Sequence, residues 1–295
     1  KSAGENHLRL VYTDAGVVNT KSVDNALYYV YNVGERGFVI ISNQEVVGYN
    51  QEELFNTDVV PEALRWFLKR YVDNAAHTNI ELKSIEGIAE IVSPLLKSRW
   101  GQAFPFSNET PIVEGRSTAC GCVATAMAQI MYYWEWPEQG HGEKEYISKT
   151  HKISLKSDFS RPFRWDRMRD FYNRDDKEGI SYEEVDEISY LLQQCGIISE
   201  MDYTTFGSGA SPSDAVLGMA RYFDYKQTTL RSFSTSEMDE DQFISLLKKE
   251  LDMKRPVLSA GGGHEFVCDG YDSNDYFHFD WRRRQRGCSC PCSCR

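Results

Sequence analysis

The sequence predicts an α+β fold built as two units. Three observations carry that expectation. The N-terminal part is dominated by short runs rich in Val, Ile, Leu and Tyr, separated by Gly, Asn and Asp. The middle of the chain carries apolar residues at helical spacing. The C-terminal part returns to strand-like alternation, so helices come first and sheet later, with room for a cleft between the two halves.

The elements follow in order. His7–Thr13, Ala26–Val33 and Gly37–Ser42 read as antiparallel strands, with Gly34–Gly37 as a hairpin loop. Pro61 then opens a helix expected to run to about His77, with Leu64, Phe67, Leu68 and Tyr71 on one face. Together these form a first unit over residues 1–90 without a nucleophile–base pair, in which His7 and His77 read as ordinary surface or edge residues. Residues 78–98 have the character of a linker, and residues 138–165 are polar and turn-rich. Tyr182–Cys195 is an amphipathic helix with Val185, Ile188, Leu191 and Leu192 on one side, and Gly196 is expected to end it. The Gly207–Asp214 loop caps a helix through Phe223, and Asp241–Lys254 is a further amphipathic helix. Arg255–Ser259, Phe266–Asp269 and Tyr276–Trp281 read as strands of one antiparallel sheet.

Composition excludes several classes of function. Of 295 residues, 41% are hydrophobic and 13% aromatic, enough for a packed core and unlike a disordered chain. The net charge of −11 speaks against a nucleic-acid surface. No apolar run approaches the length of a membrane span. The chain starts at Lys1 without a signal-peptide pattern, so an upstream segment is expected to have been removed or left out. Cys120, Cys122, Cys195 and Cys268 are scattered and do not form a disulfide framework. The other four cysteines crowd the last eight residues.

One stretch organises the rest. From Ser117 to Trp134 a loop turns into a helix in which Val123, Ala126, Met127, Ile130, Met131 and Trp134 recur at three- and four-residue intervals, and Pro137 closes it. Gly121 supplies the turn, and Cys122 falls at the helix start. Unpaired N–H groups and the positive end of the helix dipole gather there. A thiol so placed is expected to lean toward thiolate, the form that attacks carbonyls. The alternative is a buried structural cysteine. Near the other end, His264 follows a glycine run and opens a strand-like alternation. A Cys at a helix start and a distant His ahead of a strand suit a thiol hydrolase, with the His as general base and then general acid.

These two segments carry a resemblance. Gly-Cys-Val-Ala-Thr-Ala-Met-Ala-Gln-Ile-Met (121–131), with Tyr-Trp and Pro following, resembles the nucleophile segment of the streptopain-like cysteine peptidases, which are bacterial papain-like enzymes. Gly-His-Glu-Phe-Val-Cys-Asp-Gly-Tyr (263–271) resembles their histidine strand. Gly-Phe-Val-Ile-Ile-Ser (37–42) resembles their propeptide, related to streptopain-inhibitor domains, and the loop at Gly207 resembles another family loop. The resemblance implies a secreted proenzyme: an inhibitory propeptide over residues 1–90 and a papain-like peptidase domain over 91–281. It implies Cys122 as nucleophile and His264 as general base and acid. Gln102 would complete an oxyanion hole with the Cys122 N–H, though a surface amide is the plain alternative. Asp280 and Trp281 would orient and shield the histidine. The implied substrates are proteins and peptides, with a hydrophobic side chain preferred two residues before the cut. The enzyme would need no metal or organic cofactor but would need a reducing milieu. The propeptide would hold the enzyme inactive partly by displacing the histidine, and maturation would cut between about His77 and Lys97.

Three features depart from the family pattern. Asp280 stands where Asn is usual. The glycine loop before His264 looks short, and Glu265 replaces a small residue. Residues 282–295 form an Arg- and Cys-rich tail where the family has a glycine-rich segment and a closing strand. The tail reads as another reading frame of the gene or an artefact, and the closing strand is expected to be missing. The competing expectation is a non-catalytic inhibitor or binding protein with a degenerate peptidase domain.

Overall fold

The computed structural model describes residues 8–18, 26–42, 45–51, 53–58, 60, 64–65, 67–69, 72, 90–173, 179–234, 236–261, 263–280 and 291–294. His7, Pro61, Tyr71, His77 and Trp281 lie outside the described residues.

The N-terminal unit is an antiparallel sheet of β1 (Leu8–Thr13), β2 (Gly16–Val17), β3 (Tyr28–Val33), β4 (Phe38–Ser42) and β5 (Glu45–Asn50), in the spatial order β2-β1-β3-β4-β5. The expected hairpin between β3 and β4 is present, with Gly34 and Gly37 both at positive φ. Gly37 has a second reason to be glycine: a Cβ there would sit 2.6 Å from the Asn50 carbonyl oxygen. Period-two alternation sends Tyr28, Val30, Phe38 and Ile40 to one face. There they pack against Leu64, Phe67 and Leu68, which are helical as expected. One member of this core comes from far along the chain: Phe266.

The C-terminal unit is built on the central helix α1 (Cys122–Trp134), which is buried from Val123 through Met131. Ala124, Met127, Ala128 and Met131 pack toward α2 (Tyr182–Ile198), while Ala126 and Ile130 pack against Val267 of the sheet. Trp134, at the end of the apolar repeat, is instead half exposed. Helix α2 opens with a capping box, Ser181 with Glu184. It runs past Gly196, contrary to expectation, and ends at Ser199. Gly196 is buried inside the helix because a Cβ there would run into the Tyr203 hydroxyl. Helices α3 (Pro212–Tyr222) and α4 (Glu240–Asp252) follow, the latter capped by Asp239 and Gln242. Residues 138–165 are more ordered than expected. After a short hairpin of β7 (Ile112–Val113) and β8 (Arg116–Ser117) ahead of α1, they contain a hairpin of β9 (Glu143–Ile147) and β10 (Ser154–Asp158), in which Tyr146 is the one buried side chain of its strand.

The late sheet comprises β11 (Val257–Gly261), β12 (His264–Asp272) and β13 (Phe277–Asp280). Two findings correct the sequence reading. The end of the presumed linker is not loose: β6 (Glu90–Val92) pairs with Tyr271 and Asp272 of β12, and Val92 is buried. A closing strand also exists. β14 (Pro291–Cys294) lies between β13 and β5, pairing Asp280 with Pro291 and Tyr49 with Ser293. It thereby joins both units into one sheet of order β11-β12-β13-β14-β5-β4-β3-β1-β2. Strand pairing satisfies backbone groups and does not require apolar alternation, so an otherwise unpromising segment suffices between two available edges. Pro291 is tolerated because it is the first residue of its strand.

Candidate active site

Cys122 is the first residue of α1, as the sequence indicates. Gly121 before it has φ +91°, and a Cβ there would lie 2.6 Å from the Met201 side chain and 3.1 Å from the Ser208 carbonyl oxygen. No larger residue can make this turn, so the backbone at Gly121 aims the thiol. The Cys120 N–H donates to the Gln102 carbonyl at 3.1 Å, which fixes the Gln102 segment beside the nucleophile. Gln102 is buried, not the surface amide of the plain alternative. Upstream, Trp100 is fully buried between Phe106 and Tyr132, and its indole N–H donates to the Arg169 carbonyl at 2.8 Å.

The Cys122 thiol does not lean toward thiolate in this state. Burial pushes its pKa up, and the nearby Glu265 carboxyl pushes the same way. The N–H groups of Glu265, Val123 and Cys122 pull it down but do not prevail. The helix terminus favours the anion as expected, but here desolvation outweighs it. Cys122 is partly exposed, whereas Cys120, Cys195 and Cys268 are fully buried free thiols.

The sheet register decides which side chain of β12 meets the thiol. Gly261 pairs with His264, leaving two residues between them, so the short glycine loop is a tight hairpin with Gly263 at φ +73°. Ala260 pairs with Glu265, Ser259 with Phe266 and Leu258 with Val267. Val267 and Leu258 pack on Ala126 and Ile130 of α1, so their face of the sheet looks at the nucleophile helix. Glu265 is on that face by alternation, and its backbone N–H points at the Cys122 sulfur. His264 is on the other face, its ring centroid 6.5 Å from that of Phe266, whose side chain sits in the N-terminal core. The structure therefore places the Gln102 backbone and the Glu265 N–H beside Cys122, and His264 on the opposite face of β12 with Phe266.

Asp280 pairs with Val267 and shares its face. Its Oδ2 accepts a hydrogen bond from Gln129 Nε2 at 2.8 Å, and Gln129 also donates to the carbonyl and hydroxyl oxygens of Ser98 at 3.3 Å each. Sequence reasoning missed Gln129. The available signal was a polar residue seven positions after Cys122, two helical turns along, in a run that is otherwise almost wholly apolar. It also treated Glu265 only as a departure, although Glu265 is the residue of β12 whose backbone N–H reaches the thiol.

A cysteine heading a buried helix, an antiparallel sheet laid across that helix, and an N-terminal unit docked on the histidine face define a papain-like cysteine peptidase kept with its inhibitory prodomain. Residues 100–284 match the Peptidase C10 family and residues 3–75 match the Spi protease inhibitor family. The chain belongs to the Peptidase C10 family and is a streptopain-like zymogen. It is 31% identical over 289 residues to the thiol protease/hemagglutinin PrtT of Porphyromonas gingivalis, covering 88% of this chain and 33% of PrtT. It is 29% identical over 285 residues to streptopain of Streptococcus pyogenes, covering 86% of this chain and 70% of streptopain. The chain thus spans about a third of PrtT and most of streptopain. The fold is that of Prevotella intermedia prointerpain A, with TM-score 0.78 and 24% identity over 98% of this chain and 92% of that one. Active interpain A aligns with TM-score 0.57 and 28% identity over 64% of this chain and 81% of that one. Among the described residues no helix is long and apolar enough to cross a membrane.

Proposed function

We propose that this chain is the latent form of a secreted cysteine endopeptidase, with an inhibitory prodomain over residues 1–90 and a peptidase domain over residues 91–281. The observation that supports the reading is the pair of faces on β12: the Glu265 N–H reaches the Cys122 sulfur, while His264 lies on the opposite face beside Phe266, whose side chain sits in the prodomain core. A histidine held this way leaves the nucleophile without its base, which is what a proenzyme needs. Removal of the prodomain would uncover Phe266 and free the start of β12 to turn, bringing His264 over Cys122.

In the turned state His264 takes the Cys122 proton, and the thiolate attacks the carbonyl carbon of the scissile bond. The negative charge moves to the carbonyl oxygen, where the Cys122 N–H and the Gln102 amide are its donors. As the intermediate collapses, His264 passes its proton to the leaving amine and an acyl-enzyme remains. Water, deprotonated by His264, then releases the acid product and restores the thiol. Asp280 and Trp281 orient and shield the imidazole, and the carboxylate of Asp280 favours imidazolium more than an Asn would. Substrates are proteins and peptides with a hydrophobic residue two positions before the cut.

The test is intact mass before and after incubation under reducing conditions, on wild type and on Cys122→Ala. The expected result is loss of the N-terminal unit in wild type alone. If neither chain changes, and added protease releases no peptidase activity, the catalytic reading is wrong and the non-catalytic inhibitor or binding protein replaces it.

A further inference from the structure

The position that His264 vacates is filled. Glu265 is only 6% exposed, lies on the α1 face of β12, and has its own N–H aimed at the Cys122 sulfur. Its neighbours along that face are apolar Val267 on the same strand, Ala260 across from it and Leu258 beyond, with one further carboxylate, Asp280, across from Val267 and held by Gln129. We propose that Glu265 is an autoinhibitory plug on the nucleophile, a lock carried by the peptidase domain itself and additional to the prodomain. The proposal rests on the reading of Cys122 as the nucleophile.

The geometry gives the plug two functions. First, the carboxyl shields the face of Cys122 that β12 covers, so a reagent or substrate carbonyl approaching there must displace it. Second, the plug and the displaced histidine are one device. Neighbouring residues of a strand point to opposite faces, so Glu265 cannot stay over the sulfur while His264 turns in. The tight hairpin between Gly261 and His264 enforces this: with only two residues in the loop, the register cannot absorb a one-residue slip without reopening the turn. Burial raises the Glu265 pKa to about 7.

The test uses the full chain with its prodomain attached and reads alkylation of Cys122 by iodoacetamide, located by peptide mass. A Cys122→Ser chain supplies the background from the other cysteines. Glu265→Ala should alkylate at least about tenfold faster than wild type, because opening the site no longer requires moving a buried carboxyl. Glu265→Gln keeps the volume and should label within about twofold of wild type. Equal rates in wild type and Glu265→Ala overturn the plug, as does a Gln chain that labels as fast as the Ala chain. If the Ala chain does not fold, Glu265→Ser, which also removes the carboxyl and most of the side chain, takes its place with the same expected acceleration, and equal rates in wild type and Glu265→Ser overturn the plug. Peptidase activity after prodomain removal is measured separately on the wild-type chain. An accelerated Ala chain beside an inactive mature wild type would uphold the plug and refute the catalytic reading. Unchanged labelling beside an active enzyme would do the reverse.

Discussion

Phe266→Ala should destabilise the latent chain selectively. Phe266 is 8% exposed and is the residue of β12 that enters the prodomain core beside Val30, Phe38, Leu64 and Leu68. It also meets Phe279 edge-on, with ring centroids 5.3 Å apart and planes at 87°. Truncating a buried phenylalanine costs about 3–5 kcal/mol, and losing a T-shaped partner belongs within that range. In a mature enzyme without the prodomain most of this burial is absent, so the same substitution should cost under about 1 kcal/mol. The difference weakens prodomain docking by roughly 2–4 kcal/mol, a shift of about 30- to 1000-fold toward the undocked state. Urea unfolding of the full chain in a Cys122→Ala background, where self-processing is blocked, measures the first quantity. The same experiment on the prodomain-free chain measures the second. Equal losses in both would refute the reasoning, because Phe266 would then be ordinary core and not the joint between the units.

Three further outcomes follow from the geometry. Glu265 titrates near 7 in the folded chain against 4.5 ordinarily, so its penalty is absent below about pH 4.5 and complete above about 7. The latent fold should therefore lose up to roughly 3 kcal/mol across that interval, and Glu265→Gln should remove this part of the slope when urea midpoints are compared at pH 5 and pH 8. Gly196→Ala should cost about 1–3 kcal/mol by driving a methyl into the buried Tyr203 hydroxyl. That hydroxyl has no hydrogen-bond partner among the described residues, so Tyr203→Phe should be near neutral and should rescue much of the Gly196→Ala loss in a thermal-melt double-mutant cycle. Gln129→Leu keeps the helix but leaves the buried Asp280 carboxylate without its 2.8 Å donor. It should lower stability by about 2–3 kcal/mol, and an unchanged melting temperature would show that Asp280 does not depend on Gln129.

What the chain's own order of residues determined was local. The helix at Cys122 was legible because thirteen residues without a breaker carry a 3.6-residue apolar period, and Gly121 marks the one backbone turn that can precede it. The bodies of α2 and α4 were legible through their amphipathic spacing, though their caps at Ser181 and Asp239 were not read, and β1, β3 and β4 through β-branched and aromatic runs bounded by Gly and Asn. The place of Cys122 at the helix start was legible for the same reason: it depends on neighbours in sequence. What only the tertiary structure decided was long-range. A strand has a period of two, so one residue of register exchanges His264 for Glu265 over the thiol, and that choice is made by the β11–β12 hairpin and by what packs on each face. The reason Gly196 is glycine inside α2, the close approach of the Tyr203 hydroxyl, is likewise tertiary and not written beside it in the sequence. β6 and β14 are strands only because β12, β13 and β5 offer edges, which no pattern inside residues 90–92 or 291–294 records. The thiol's pKa follows the same division: the helix start that favours the anion is written locally, while the burial that pushes the Cys122 pKa up depends on segments brought together by the fold, among them a strand more than a hundred residues away.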